Sequence, residues 1–235
     1  MRITHHGDHL IQLAWMPLLF PVNCYLVKEE DGLTLVDTTM FSPAEDVESV
    51  SKELGMPLKR VALTHAHGDH VGGVDGIRER FPGVELSIGV RDAGLLEGNL
   101  QLAPDEPQVP IKGSLPKPTW KPDRLLEEGD RIGSLLVVAS PGHTPGHIAF
   151  LDTRDRSLIA GDALQTRGGL AVSGVLQPLF PFVAMATWHK PTALRSAEAL
   201  RKLEPSRLAT GHGKVLENPA APLDRAIETA RRKFA

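Results

Sequence analysis

The amino-acid sequence predicts an α/β fold of the α+β kind, in which two β-sheets lie face to face between outer layers of helices. Short apolar runs that are typical of buried strands alternate with segments of helical periodicity. Several strand-like segments follow one another near the start, which favours two sheets over one doubly wound sheet. No linker long enough to divide the chain is visible, so we expect a single domain over residues 1–235.

The first half of the chain is predicted to contain five strands and two helices. The strands lie at 10–14, 22–28, 33–37, 60–64 and 84–89, and the second helix covers 71–80. Asp31-Gly32 is typical of a hairpin turn between the second and third strands. The first helix is predicted to begin with Ser42 as N-cap and Pro43 as its first residue. Glu45 would complete a capping box, and Gly55 would end the helix.

The second half is predicted to contain four strands, two helices and long irregular segments. These elements are strands at 135–139, 148–151, 157–160 and 207–210, a helix over 191–203 and a terminal helix from about Pro219. Six prolines make 99–123 a long loop, of the kind that often forms a functional lid. Residues 163–190 form a second irregular insertion that is mostly apolar. We interpret it as a packed lid or a homodimer surface, which argues against a strongly polar pocket.

The composition excludes several classes of protein. Hydrophobic residues make up 41% and charged residues 23%, as in soluble globular proteins. The 26 basic and 29 acidic residues include no basic block, so we expect a small-molecule substrate rather than nucleic acid. No apolar run could cross a membrane and no signal region is visible, so the expected location is the cytoplasm. The single cysteine, Cys24, excludes an intrachain disulfide and is predicted to be buried in a strand.

A histidine-rich segment follows the strand predicted at 60–64. The run Thr64-His65-Ala66-His67-Gly68-Asp69-His70-Val71-Gly72-Gly73 places three histidines and one aspartate within six positions. Imidazole and carboxylate groups are rarely buried without partners, and four of them at one point would repel or desolvate one another. A divalent cation bound among them would resolve this conflict, and such metals accept imidazole nitrogen and carboxylate oxygen. The segment therefore predicts a metal site.

Three further predicted strands also lead into side chains that commonly bind metals. The strands at 135–139, 157–160 and 207–210 lead into His143, Asp162 and His212. Ligands at strand ends are held by a rigid scaffold, as a preorganised site requires. The chain thus has seven candidate metal ligands: His65, His67, Asp69, His70, His143, Asp162 and His212. Seven is too many for one tetrahedral metal but suits two metals that share one carboxylate and one hydroxide.

With these residues the chain resembles the metallo-β-lactamase-fold hydrolase superfamily. The resemblance extends from about residue 10 to about residue 216. The His65-Ala66-His67-Gly68-Asp69-His70 element is a specific signature of that superfamily, and the later ligands follow in its order. The resemblance implies a four-layer αββα sandwich, the metallo-β-lactamase fold. It assigns His65, His67 and His143 to the first metal and Asp69, His70 and His212 to the second, with Asp162 bridging. Because His70 and Asp162 are both retained, the chain is most similar to the glyoxalase II and lactonase-like branch.

The resemblance implies a dinuclear metal-dependent hydrolase in which a metal-bridging hydroxide cleaves an ester, lactone, thioester or phosphodiester. Asp69 is the expected catalytic residue, because it could orient the nucleophile and pass a proton to the leaving group. Zinc is the expected metal, with iron or manganese as alternatives. A mononuclear non-heme iron oxidoreductase similar to persulfide dioxygenases is the alternative function on the same fold. A nuclease and a non-catalytic metal-binding module are less favoured readings.

Other polar residues leave two interpretations open. His147 is expected to support the site rather than to bind metal. Asp37 either orients a ligand histidine or caps a turn. His189 either lines the pocket or lies on the surface, and Lys214 either faces an anionic substrate or is solvated. The N-terminal histidines are expected on a solvated and poorly ordered edge, and they are His5, His6 and His9.

Overall fold

A computed structural model describes residues 1–234, and its larger sheet has seven strands. In spatial order they are β1 (Arg2–His6), β2 (Leu10–Trp15), β3 (Val22–Glu29), β4 (Gly32–Val36), β5 (Leu58–Leu63), β6 (Glu85–Gly89) and β7 (Arg124–Leu126). The pairs from β1 to β4 are antiparallel, and the pairs from β4 to β7 are parallel. The predicted hairpin between β3 and β4 is confirmed.

The second sheet has six strands, in the order β15-β14-β11-β10-β9-β8. Their bounds are β8 (Arg131–Ile132), β9 (Leu135–Ala139), β10 (Ile148–Asp152), β11 (Ser157–Ile159), β14 (Arg207–Ala209) and β15 (Leu216–Glu217). A separate two-stranded sheet pairs β12 (Leu164–Gln165) with β13 (Ala171–Val172). All four strands predicted in this half are present, because each is a short apolar run with β-branched or leucine side chains.

Seven α-helices and one short 3-10 helix, at Gly161–Ala163, complete the chain over residues 1–234. The α-helices are α1 (Ala44–Leu54), α2 (Gly68–Val71), α3 (Val74–Arg80), α4 (Val90–Leu96), α5 (Phe182–Ala186), α6 (Lys190–Lys202) and α7 (Ala220–Phe234). No helix within this part of the chain is both long and apolar enough to span a membrane.

Three hydrophobic clusters separate four layers. Leu35 of β4 lies in one cluster with Val47 of α1, whereas the next residue, Val36, lies in a second cluster with Phe150 of the other sheet. Successive residues of a strand point to opposite faces, so β4 packs on helices with one face and on the second sheet with the other. The third cluster joins the second sheet to α6 and α7. The predicted αββα sandwich is therefore confirmed.

The helix predicted over 71–80 is present as α3, which begins three residues later at Val74 because Gly72 and Gly73 separate it from the short α2. A Cβ atom on Gly72 would lie 2.5 Å from the carbonyl oxygen of Met40, and one on Gly73 would lie 2.3 Å from that of Thr38. The two glycines therefore allow the loop after β4 to approach the ligand-bearing segment. The break places α2 at the sheet edge independently of α3.

Three smaller expectations also need correction. The insertion at 163–190 is not wholly irregular, since it holds β12, β13 and α5, whereas 99–123 has no helix or strand as expected. The Ser42 hydroxyl accepts the N–H of Ala44 at 3.3 Å, but Pro43 is the cap residue of α1, and Glu45 makes no capping-box bond to it. The N-terminal histidines are not poorly ordered, because His5 and His6 belong to β1, which pairs with β2 along its whole length.

Candidate metal centre

The structure brings all seven candidate ligands together at one edge of the two sheets. They come from the turn after β5, from α2, and from the segments that follow β9, β11 and β14. Their ligand atoms form three overlapping groups, each within 4.8 Å: His65–His67–His143, His65–His70–Asp162 and Asp69–His70–His212. Six of the seven side chains are buried, and only Asp69 is partly exposed. The strand ends from both sheets therefore build one compact cluster.

The hydrogen bond of His67 decides which of its ring nitrogens faces the cluster. Its Nε2 lies 2.9 Å from the carbonyl oxygen of Lys112. Because a carbonyl only accepts, Nε2 carries the proton and Nδ1 is left with a lone pair. That Nδ1 lies 2.9 Å from Nε2 of His143.

His143 also presents a lone pair to the cluster. Its Nδ1 lies 3.0 Å from the hydroxyl of Ser173, which lies 2.7 Å from the hydroxyl of Thr187. Thr187 in turn donates to the carbonyl of Val183 at 2.7 Å. Because the Thr187 hydroxyl donates to Val183, the Ser173 hydroxyl donates to Thr187 and accepts from Nδ1 of His143. Nδ1 of His143 therefore carries the proton, and its Nε2 is an acceptor. Two acceptor nitrogens at 2.9 Å repel each other unless a cation or a proton lies between them.

Asp37 sets the orientation of two further histidines. It accepts from Nδ1 of His70 at 2.8 Å and from the hydroxyl of Thr64 at 2.9 Å. Since that hydroxyl uses its proton on Asp37, it accepts from Nδ1 of His65 at 3.0 Å. Nε2 of His65 and Nε2 of His70 are both buried and have no hydrogen-bond partner within residues 1–234. Asp37 therefore contacts a candidate ligand histidine directly and a second one through Thr64, which fits the orienting role rather than the turn cap.

The remaining acceptors surround Asp162. Nδ1 of His212 donates to the carbonyl of Pro21 at 2.7 Å, which leaves its Nε2 as an acceptor. This nitrogen lies 3.2 Å from Oδ2 of Asp162 and 3.4 Å from Oδ2 of Asp69. The other oxygen of Asp162 is buried without a partner, 3.5 Å from Nε2 of His70. Nitrogen and carboxylate acceptors that converge in this way fit divalent metal ions on both sides of Asp162.

In the metal-free protein, the carboxylates of the cluster favour the protonated form of two of its histidines. Burial would lower the pKa of His70, but the carboxylates of Asp37, Asp162 and Asp69 outweigh it and raise the pKa to about 9. The pKa of His212 is likewise raised well above its usual value by Asp162 and Asp69, despite burial. By contrast, burial holds the pKa of His65 and that of His143 well below the usual value. Without metal, protons on His70 and His212 compensate the carboxylates.

This pattern predicts that the metal-free protein loses stability as the pH rises above neutrality. The raised pKa of His70 contributes stability that is complete below about pH 6.5 and is lost as the pH rises through about 9. The raised pKa of His212 acts in the same direction. From about pH 7.5 to about pH 8.5, urea unfolding in chelator should show a loss of about 1 kcal/mol from His70. Metal-loaded protein is the control and should lose less, because bound cations replace the protons. A metal-free stability that rises over this range would contradict the prediction.

His147 supports the site without offering a free nitrogen. Its Nε2 accepts the backbone N–H of Asp162 at 3.1 Å, so its Nδ1 donates to the hydroxyl of Ser140 at 2.8 Å. Burial lowers the pKa of His147 to about 3, which keeps the ring neutral at physiological pH. The expected supporting role of His147 fits this geometry.

Asp92 is a supporting residue that sequence reasoning missed. Its fully buried carboxylate accepts the N–H of Ala66 at 2.8 Å, the hydroxyl of Thr144 at 2.7 Å and the N–H of Gly146 at 2.7 Å. Burial raises the pKa of Asp92, although these hydrogen bonds oppose the shift. The carboxylate thus ties the turn that carries His65 and His67 to the turn that carries His143. An aspartate within the apolar run of α4 was the only local signal of it.

The long proline-rich loop passes directly over His67. Gly113 has a φ of +91°, and a Cβ atom there would lie 2.0 Å from Nε2 of His67. The carbonyl of Lys112 accepts the hydrogen bond from Nε2 of His67, and the carbonyl of Ser114 accepts one from the N–H of Gly68 at 2.9 Å. The loop predicted as a lid therefore also fixes the orientation of a candidate ligand.

We expect Gly113→Ala to weaken metal binding about tenfold or more, because the methyl group displaces His67 and the alanine backbone is strained at positive φ. Competition titration with a chromophoric chelator measures the affinity. Gly94→Ala in α4 is the matched control, because a Cβ atom there meets nothing within 4 Å. Equal metal affinity in the two variants would contradict the expected effect.

Two further residues have roles outside the cluster. His189 caps α6, where its Nδ1 lies 2.7 Å from the hydroxyl of Thr192. It does not line the pocket above the cluster. Lys214 is exposed and lines a separate cavity, described below.

A pocket of about 350 Å³ opens above the candidate ligands. Besides the ligands, it is lined by Gly113 and Ser114 of the long loop and by Phe182, Val183, Met185 and Ala186 of the second insertion. Phe180 of this insertion packs on His212, with ring centroids 4.8 Å apart. No lysine or arginine lines the pocket within residues 1–234. The insertion thus forms an apolar wall, as its composition indicated.

The comparisons with known proteins agree with the fold. A family profile described as Metallo-beta-lactamase superfamily matches residues 17–212. The chain is 49% identical over 233 residues to the uncharacterized protein YobT of Bacillus subtilis (strain 168), covering 99% of this chain and 100% of that protein. It is 30% identical over 212 residues to the probable metallo-hydrolase YflN of the same strain, covering 81% and 80%.

A solved structure is also similar over most of its length. TTHA1623 in a di-iron-bound form shares 31% identity and a TM-score of 0.64, covering 89% of this chain and 95% of that chain.

Proposed function

The chain belongs to the metallo-β-lactamase superfamily, and we propose that it is a hydrolase that uses two divalent metal ions to cleave an ester, lactone, thioester or phosphodiester. The observation that carries this proposal is the set of buried acceptors without partners around Asp162, which include Nε2 of His65 and Nε2 of His70. Ions bound there would supply an activated water at neutral pH and polarise a substrate oxygen.

The candidate ligands form two sets, and one member of the second set, Asp69, also faces the pocket. His65, His67 and His143 would hold one ion, and Asp69, His70 and His212 the other, with Asp162 between them. Among these side chains Asp69 alone is partly exposed, at 24%, and it lines the pocket. Despite burial, His70 and His212 hold its pKa below the usual range, so it is ionised. We therefore assign Asp69 to orienting the nucleophile and to passing a proton to the leaving group.

The lining of the pocket favours uncharged acyl substrates within the proposed range. Phe182, Val183 and Met185 offer apolar contact, and no cationic side chain would pair with an anionic group of the substrate. Carboxylic esters and lactones match this surface better than phosphodiesters do. For the metals, zinc is our first expectation, and the di-iron form of the similar TTHA1623 supports iron as the alternative.

The test combines elemental analysis with a substrate panel. Protein purified without a tag or chelator is analysed for metals, and then assayed with an ester, a lactone, a thioester and a phosphodiester. We expect about two ions per chain and turnover of one substrate class, with the uncharged acyl compounds cleaved fastest. One iron per chain and oxygen uptake with a persulfide would instead establish the mononuclear oxidoreductase.

A further inference from the structure

A second cavity, of about 550 Å³, lies beside the metal centre and shares no lining residue with the pocket above it. Strands β1 and β2 form one wall, and the loop between β2 and β3 forms another. The remaining walls are the segments 166–168 and 213–215, the second of which begins directly after His212. The cavity is therefore distinct from the proposed catalytic pocket although it adjoins the same part of the chain.

The cavity is lined by cations and by no carboxylate. Arg2, Arg167 and Lys214 line it, together with neutral polar groups such as Thr4 and Gln12. None of the three cations lies within 4.0 Å of a carboxylate in the part of the chain that the structure describes. The whole chain has a net charge of −3, so this concentration of unpaired positive charge does not follow from composition.

A hydrogen bond to the backbone fixes the position of Arg167. Its Nη2 donates to the carbonyl of Leu18 at 2.6 Å, which holds the guanidinium against the loop between β2 and β3. Arg167 lines the cavity, so an anionic group bound there would be attracted to its positive charge.

We propose that this cavity binds a small molecule with two or more negative charges, carried by carboxylate or phosphate groups. The planar guanidinium of Arg167 matches the geometry of both groups, and Lys214 and Arg2 supply further positive charge. The five apolar lining residues, which include Pro21 and Val215, leave room for a short hydrocarbon part of the ligand. This ligand is bound apart from the reacting group, because the two cavities have separate linings.

Isothermal titration calorimetry of the metal-loaded protein at low ionic strength tests the proposal. The probes are glutarate, which carries two carboxylates, and glycerol 3-phosphate, with glycerol as the uncharged control. We expect at least one anion to bind with a dissociation constant near about 1 mM or below, and glycerol not to bind. The preferred probe identifies the anionic group. If neither anion binds at about 10 mM, the proposal is wrong.

Variants separate this cavity from the metal centre and from general surface charge. The double variant Arg167→Met, Lys214→Met should weaken binding about a hundredfold, or about tenfold for each cation removed. Lys121→Met, an exposed lysine before β7 at the opposite end of the seven-stranded sheet, should change it less than about twofold. Arg2→Met, on the edge strand, serves as the second variant if the double variant does not fold. Unchanged binding in the cavity variants, equal weakening by Lys121→Met, or loss of binding on metal removal would overturn the proposal.

Discussion

Replacing Asp162 with alanine is expected to reduce bound metal to fewer than two ions per chain and turnover by about a hundredfold or more. Asp162 is the only candidate ligand whose carboxylate lies near three histidines, at 3.5 Å from His70, 3.4 Å from His143 and 3.2 Å from His212. Its removal therefore takes charge from both sides of the cluster. Elemental analysis and the rate with the preferred substrate measure the two effects.

Two further variants make the result specific. Asp162→Asn keeps the volume and the backbone N–H that binds His147, so a similar loss would show that the charge is required. Asp75→Ala removes an exposed carboxylate on α3 and should retain metal and activity. Two ions per chain together with full turnover in Asp162→Ala would refute the dinuclear site.

The largest expected effect on stability comes from Asp92→Ala, at about 3–5 kcal/mol of unfolding free energy. The substitution leaves three donors without their acceptor: the buried N–H of Ala66, the buried hydroxyl of Thr144 and the partly buried N–H of Gly146. Each such donor loses its hydrogen bond without regaining water. Urea unfolding of the metal-free protein measures the change apart from any loss of metal.

Asp92→Asn is expected to be intermediate, because one amide oxygen still accepts while the amide NH2 group faces a donor. Glu97→Ala, at the exposed end of α4, is the matched control and should alter stability by less than about 0.5 kcal/mol. If Asp92→Ala is as stable as this control, the carboxylate does not hold the two ligand turns together.

The candidate ligands could be found from the sequence because their signal is local. Asp69 and His70 lie in the same short segment as two other histidines, and each later ligand follows an apolar run that forms a strand. The layered fold was also predictable, because strand and helix periodicity and the early succession of strands are local patterns. The break between α2 and α3 was not predictable, because it depends on contact with Met40, which is distant in sequence.

The sequence by itself determined which candidate ligands follow the strand ends, and in what number and order. Only the tertiary structure decided which atom of each histidine faces the cluster. Asp37 contacts His70 across 33 positions, Asp92 contacts Ala66 across 26, and Ser173 contacts His143 across 30. Such hydrogen bonds exist only after segments distant in sequence have been brought together by the fold, and no local pattern specifies them. The cluster of cations in the second cavity also depends on the fold, since Arg2 and Lys214 are distant in sequence and line the same cavity only in the folded protein.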